Sequence, residues 1–352
     1  MKFVQRLLPG PLDVVGDVHG EAAALERLLA RLGYDAEGRH RAGRHLVFVG
    51  DLTDRGPDSP AVLARVAAMV EAGHAQCVLG NHELNLLRDV PKDGNDWWTR
   101  PRLASAGGHP QRPISAAAKL RFTRFLRRLP LALEREDLRV VHACWHPEAI
   151  AEVRAIRDTR ALSLYRRHAR AIGGRWNTPE RRAALAAERR DVDLHDQHLQ
   201  PPFLQLHARR DVEHQGCNPV SVLTSGRELE VEDEKPFWAG GRWRMVERLT
   251  WWNHYEGTVP VVIGHYWRRF SDRGTVLADK YGPDLFAGHG PRDWLGRHRN
   301  VYCVDFSVGA RPAQRAAGEP EDVVQLSALR VPEWQVVHDR APPWQLERPN
   351  RG

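Results

Sequence analysis

Lysine is nearly missing from this chain. Only Lys2, Lys92, Lys119, Lys235 and Lys280 contribute to the 52 basic residues, so the net charge of +7 is carried by arginine. Such a balance favours anionic partners, but charge speaks to association and not to fold. Cysteine is also sparse. Cys77, Cys144, Cys217 and Cys303 form no C-x-x-C pair, which argues against an iron–sulfur or structural zinc site. Three of the four sit in apolar strand-like runs and read as buried free thiols, which suits a reducing, cytoplasmic setting. No apolar run approaches the length that spans a bilayer. Pro9-Gly10-Pro11 breaks the run at the start, so no signal peptide is expected. There is no internal repeat. At 352 residues the chain can bury a large core in one large domain or two modest ones.

Three glycine-flanked stretches stand out: Gly16-Asp17-Val18-His19-Gly20, Gly50-Asp51-Leu52-Thr53-Asp54-Arg55-Gly56 and Gly80-Asn81-His82-Glu83. Each follows a short apolar run (12–15, 45–49 and 76–79) and precedes a helical pattern. This β-α-β-α-β order predicts right-handed parallel crossovers. It delivers the polar residues to the C-terminal edge of one sheet, where open α/β folds place their sites. Asp17, His19, Asp51 and Asn81 offer carboxylate, imidazole and amide ligands and no thiolate, which suits Mn, Fe or Zn. A carboxylate can bridge two cations, and two cations roughly 3.5–4 Å apart can clamp a phosphate and acidify a water. The pattern reads as a two-metal hydrolase.

These motifs resemble those of the calcineurin-like metallophosphoesterase superfamily, in its phosphoprotein phosphatase branch, which includes bacterial Ser/Thr phosphatases and symmetrical diadenosine tetraphosphatases. Val140-Val141-His142-Ala143, Val261-Val262-Ile263-Gly264-His265 and the stretch from Val304 to Ala310 extend the similarity. The resemblance implies an α/β fold: a four-layer sandwich of two mixed β-sheets flanked by helices, with an inserted, largely helical cap. It implies that Asp17, His19 and Asp51 hold a first divalent metal, and that Asp51, Asn81, His142 and His265 hold a second. Manganese is the expected metal, with Fe, Zn and Ni as alternatives. His82 would protonate the leaving oxygen, Asp54 would orient His82, and Arg55 would grip the phosphate. The branch supplies a second phosphate-binding arginine; Arg227, Arg244 and Arg248 are candidates and Arg248 is preferred. Tyr266 stands where the branch has Thr, a departure that concerns the outer wall of the site.

The expected division is a core of residues 1–147 and 249–340, an inserted cap of 148–248 and a loosely held tail of 341–352. Helices are expected over 21–32, 61–71 and 115–128, and in the Ala/Arg-rich part of 147–190, interrupted at Gly173-Gly174. Strands are expected over 131–133, 138–141, 220–224, 301–306, 323–329 and 334–337, with those of 301–306 and 323–329 pairing antiparallel. His195, His198, His207 and His214 read as surface residues. Trp97 and Trp98, and the Trp/Arg-crowded stretch 237–252, could stack on a base, but packing is the favoured account. The function expected is hydrolysis of a phosphate ester by metal-activated water, on a phosphoprotein or a small phosphomonoester. A nucleotide or dinucleoside polyphosphate is the alternative substrate, and a non-catalytic binding scaffold the alternative class. No membrane partner is expected, and nucleic acid lacks a reader motif.

Overall fold

The computed structural model describes residues 2–92, 94–104, 109–157, 159–239, 241–270 and 283–350. In chain order the strands are β1 (Val4–Arg6), β2 (Leu12–Val15), β3 (His45–Phe48), β4 (Ala75–Cys77), β5 (Ala132–Arg135), β6 (Leu138–Val141), β7 (Glu228–Glu230), β8 (Phe237–Ala239), β9 (Arg242–Arg244), β10 (Val246–Arg248), β11 (Val261–Ile263), β12 (Val301–Cys303), β13 (Ser327–Val331), β14 (Gln335–His338) and β15 (Trp344–Gln345). The helices are α1 (Ala22–Leu32), α2 (Ser59–Glu71), α3 (Asn81–Arg88), α4 (Asp96–Thr99), α5 (Ala116–Leu126), α6 (Pro147–Ala155), α7 (Ala161–Trp176), α8 (Pro179–Glu188), α9 (Gln205–Gly216), α10 (Pro219–Ser225) and α11 (Arg311–Ala317).

Two mixed sheets dominate. One runs β15-β14-β13-β2-β3-β4, and its β2, β3 and β4 are parallel. The other runs β1-β5-β6-β11-β12. Side chains alternate faces along a strand, and the burial follows that rule. Leu12, Val14, Val47 and Val49 pack against Leu133, Val140, Val262 and Tyr302 of the opposite sheet. Val15, Leu46 and Phe48 face the other way, into a cluster with Leu25, Leu28 and Leu29 of α1 and Val62 and Val66 of α2. The sheets are therefore sandwiched between helices, as the resemblance implied.

Local chemistry sets the element ends. Gly33 closes α1 at φ 91°, a left-handed position glycine takes without strain. The helix expected from residue 61 starts at Ser59. Asp58 accepts from Ala61 N at 2.9 Å, and Pro60 fits the first turn, where no N–H is needed. The same device overturns the strand expected over 220–224, which is α10. Asn218 accepts from Val220 N, and Pro219 opens the helix. Gly173-Gly174 does not interrupt α7, which runs through to Trp176. Buried Leu164 and Ile172 hold it, and the Trp176 indole donates to Glu213.

The runs near 301 and 327 meet in an antiparallel bridge between Phe306 and Gln325, but their strands do not form a hairpin. β12 joins β11 in parallel at the edge of one sheet, while β13 pairs antiparallel with β2 in the other. The tail is also tied down: β15 pairs with β14, Leu346 is buried, and Trp294 Nε1 donates to Glu347 O. Residues between β6 and β11 supply α6–α10 and two separate two-stranded ribbons, β7·β10 and β8·β9. Among the described residues no helix is long and apolar enough to cross a membrane.

Candidate metal centre

The C-terminal ends of β2, β3 and β4 carry the three glycine-flanked turns, and the ends of β6 and β11 carry His142 and His265. Gly50 turns the chain off β3 at φ 100°. A Cβ there would lie 2.7 Å from Gly80 N and 3.1 Å from His142 Nδ1, so the close approach of three turns requires glycine. Seven non-glycine residues near these turns hold left-handed φ: His19 (46°), Asp51 (47°), Asp54 (74°), Arg55 (69°), His265 (70°), Trp267 (57°) and Ser307 (64°). Such conformations cost about 1–3 kcal/mol each and cluster at functional sites.

All of the expected ligand residues converge. Asp51 sits at the middle. Its Oδ1 is 3.3 Å from His142 Nε2, and its Oδ2 is 3.9 Å from His19 Nε2 and 3.8 Å from His82 Nε2. Asn81 Oδ1 lies 3.1 Å from His142 Nε2 and 2.9 Å from His265 Nδ1. Asp17 Oδ2 is 3.8 Å from His19 Nε2, and its two oxygens accept from His265 N at 3.2 and 3.1 Å. Two groups have ligand atoms mutually within 4.8 Å: His19, Asp51 and His82, and Asp51, His142 and His265. Asp51 belongs to both.

The chemistry of these contacts suits cations. His142 Nδ1 lies 2.7 Å from the Val49 carbonyl, which can only accept, so Nδ1 carries the ring proton. A neutral ring then turns a lone pair on Nε2 toward two further acceptors, Asp51 and Asn81. His19 repeats the arrangement: Nδ1 meets the Thr53 carbonyl at 3.0 Å and Nε2 faces Asp17 and Asp51. Burial, then Arg55 and His82, hold His19 well below the ordinary histidine value. Burial, then Arg248 and His142, do the same for His265. Both rings are therefore neutral, as metal ligands must be. Asp17 is pushed well above the carboxylate range by burial and by Asp305 and Asp51, a crowding of buried carboxylates that positive charge would relieve. Asp51 goes the other way. Burial opposes its charge, but His142, His82 and His19 hold its carboxyl well below the usual value.

His82 and Arg55 line the same space. His82 Nδ1 donates to Asp54 Oδ2 at 2.6 Å, and Asp54 Oδ1 accepts from Trp97 Nε1 at 2.7 Å. Burial opposes a charge on His82, but Asp51 and Asp54 outweigh it and raise its pKa. Arg55 Nη1 donates to His19 Nε2 at 3.0 Å, and Nη2 lies 3.4 Å from His82 Nε2. Arg248 stands at one remove, its Cζ 5.9 Å from the Tyr266 ring and close enough to depress His265. Arg227 instead reaches His146 Nε2 at 3.3 Å.

Several residues here had no expected role. Glu83 accepts from Asp51 N (2.8 Å), Leu52 N (2.9 Å), Thr53 Oγ1 (3.0 Å) and Gly80 N (3.2 Å), which ties the second turn to the third. Asp305 accepts from Ser307 N and Trp267 N and faces Asp17. Trp267 lies 4.3 Å from the Arg55 guanidinium. Glu83 and Asp305 fall inside stretches that carry the resemblance, so their position was visible though their contacts were not. Trp97 and Trp98 are fully buried, which settles them as packing rather than base-stacking residues. His207 is not a surface residue. It is buried, with Nδ1 2.8 Å from Glu188.

The profile of the calcineurin-like phosphoesterases matches residues 10–202, more than half of the chain. The chain belongs to this family. It is thus a member of the metallophosphoesterases, hydrolases that work with divalent metals. This phosphoesterase is 45% identical over 80 residues to an asymmetrical bis(5'-nucleosyl)-tetraphosphatase of Oceanobacillus iheyensis, a match covering 22% of this chain and 32% of that one. It is 43% identical over 77 residues to a symmetrical bis(5'-nucleosyl)-tetraphosphatase of Ralstonia nicotianae, covering 22% and 24%. The chain spans about a third or less of the length of these relatives. A cold-active protein-tyrosine phosphatase of a psychrophilic Shewanella aligns over 99% of this chain and 83% of its own, at 16% identity and a TM-score of 0.49.

Proposed function

We propose that the chain is a dinuclear-metal phosphoesterase that hydrolyses a phosphate ester at the edge built by the three glycine-flanked turns. The observation that carries this reading is the convergence on Asp51 of His19, with Asp17 beside it, and of His142 and His265, with Asn81 between them. Asp17, His19 and Asp51 would hold one cation, and Asp51, Asn81, His142 and His265 the other. When bound, the cations supply an activated water and positive charge for the negative charge that develops at phosphorus. Manganese heads the order of expected metals for this oxygen- and imidazole-rich set.

The protein groups do the rest. Arg55 turns both guanidinium nitrogens into the space between His19 and His82. Its planar fork fits two phosphate oxygens at once, and Trp267 backs it. His82 keeps a proton because Asp51 and Asp54 favour its charged form. It delivers that proton from Nε2 to the departing oxygen, while Asp54 fixes the ring through Nδ1. Trp97 in turn fixes Asp54. Arg248 is the second phosphate-binding arginine, and residues 148–248 form a cap over the site.

The substrate is a phosphorylated small molecule or a phosphoprotein. The names of the two tetraphosphatase relatives favour a dinucleoside polyphosphate as the second reading. The buried thiols Cys77, Cys144 and Cys303 support a reducing, cytoplasmic compartment. The test is turnover of p-nitrophenyl phosphate by chelated protein before and after Mn²⁺ is restored. Activity should collapse on chelation and return with metal. Undiminished turnover by metal-free protein would end the proposal.

A further inference from the structure

The histidines proposed as ligands are not all held alike. His19 and His142 each place Nδ1 against a backbone carbonyl, that of Thr53 or Val49. Such a contact fixes which nitrogen faces a metal and how the ring stands. His265 has no carbonyl of this kind. Its Nδ1 meets Asn81 Oδ1, itself a proposed ligand, and its buried Nε2 has no hydrogen-bond partner among the described residues. Packing is what remains to orient the ring. Tyr266 meets it edge to face, with centroids 5.0 Å apart and planes at 84°, and His142 meets it at 5.2 Å.

Tyr266 is buried and is held from outside its own turn. Trp252 packs on it edge to face at 5.2 Å, and the Arg248 guanidinium lies 5.9 Å from its ring centre. The hydroxyl fits against Gly226, which closes α10 at φ 79°. A Cβ on Gly226 would overlap the hydroxyl oxygen and lie 3.3 Å from Cζ, so the fit requires glycine. α10 is itself buried from Pro219 to Thr224, which fixes the place of Gly226. The same helix holds the neighbour of His142. Leu223 O accepts from Ala143 N at 3.0 Å, and Trp251 Nε1 donates to Ala143 O at 3.0 Å. The residues directly after His142 and His265 are thus both gripped by α10 and the stretch around Trp251 and Trp252. Val18 and His19 are tied elsewhere, by their N–H groups to Asp51 O.

We propose that Tyr266 is a positioning residue for His265, and that through its contact with Gly226 the helix α10 sets the affinity of the cation held by Asp51, Asn81, His142 and His265, and not of the other. The proposal rests on the two-cation reading of the site. The ring does the orienting, and the hydroxyl carries the contact to α10. The segment between β6 and β11 thereby belongs to one half of the metal centre.

Calorimetric titration of the chelated full-length chain with Mn²⁺ tests this without any turnover. Wild type should take up two ions. Tyr266→Ala should weaken one of them about 10–100-fold, the usual worth of a group that orients a ligand, and leave the other within about twofold. Tyr266→Phe keeps the ring and should stay within about threefold of wild type for both. Gly226→Ala should weaken the same ion as Tyr266→Ala. Adding Tyr266→Phe to Gly226→Ala should recover most of that loss, because the clashing oxygen is gone. Gly73→Ala, at the same φ of 79° but with open space around its Cβ, should bind both ions as wild type does. Wild-type affinities in folded Tyr266→Ala would overturn the proposal, as would a loss in Gly226→Ala that Tyr266→Phe does not relieve. Should circular dichroism show Tyr266→Ala unfolded, the Gly226 pair decides alone. Wild type that takes up no Mn²⁺ would sink the two-cation reading and this proposal together; two ions bound alike in wild type and variants would sink the proposal alone.

Discussion

The edge of the parallel strands and the segment between β6 and β11 are built in opposite ways. At the edge the turns are tied to one another by buried side chains. Glu83 alone accepts four hydrogen bonds, and strained backbone is held in place by the sheets behind it. The segment between β6 and β11 has short ribbons and a helix α8 with no buried residue. Rigidity at the edge is what two-metal chemistry requires, because ligands must already be in place. On the proposed reading, the looser construction of the segment between β6 and β11 suits a part that recognises the rest of a substrate.

The contrast can be broken most severely at its centre. Asp51→Ala should reduce turnover of p-nitrophenyl phosphate to the assay floor, because both ligand groups lose their shared member. His82→Ala should keep the metal content and lower kcat by roughly 10²–10⁴, the usual worth of a general acid. Equal rates for that variant and wild type would remove His82 from the mechanism.

The core behind the edge should be the more fragile part of the fold. Arg311 Nη1 and Nη2 donate to the two oxygens of Asp339 at 2.7 Å, and both side chains are fully buried. Asp339→Ala leaves a buried guanidinium unpaired and should cost about 3–5 kcal/mol in urea unfolding. His338 nearby sharpens the point through pH. Burial, chiefly, lowers its pKa to about 3 from an ordinary 6.5. The unfolded chain therefore takes up a proton below about pH 6.5 that the folded chain refuses. The stability from this neutral ring is complete above 6.5 and is lost as pH falls toward 3. The slope contributed is up to ~1.4 kcal/mol per pH unit. His338→Gln should flatten unfolding free energy against pH in that window; an unchanged slope would contradict it.

The smallest effect belongs to the insertion. Glu188 accepts from Leu206 N, His207 N and the His207 ring at the start of α9. Glu188→Ala should cost about 1–2 kcal/mol and leave p-nitrophenyl phosphate turnover unchanged. A loss of turnover as large as that of His82→Ala would erase the distinction between the two regions.

The edge was legible in the sequence because its ligands are short motifs tied to strand ends, and a strand–turn–helix unit is read locally. Asp17, His19, Asp51 and Asn81 could be placed at one sheet edge from the order of strands and turns, while His142 and His265 joined them through the family resemblance. Glu83 and Asp305 were not assigned roles, since their work is hydrogen bonding to backbone that only folding brings near. The insertion was read less well. Val220–Thr224 is β-branched and apolar, yet Asn218 and Pro219 start a helix there. His207 looked polar and exposed until Glu188 is seen to cover it. The strands near 301 and 327 each look like half of a hairpin, and nothing local tells that they enter different sheets.

The most direct measurement is the metal content of the purified chain, by elemental analysis, beside that of Asp51→Asn. A centre in which one carboxylate joins two cations predicts two divalent ions per wild-type chain and the loss of both in the variant. Wild-type protein that holds no divalent ion after loading and gel filtration, or a variant that retains the wild-type number, would contradict the account.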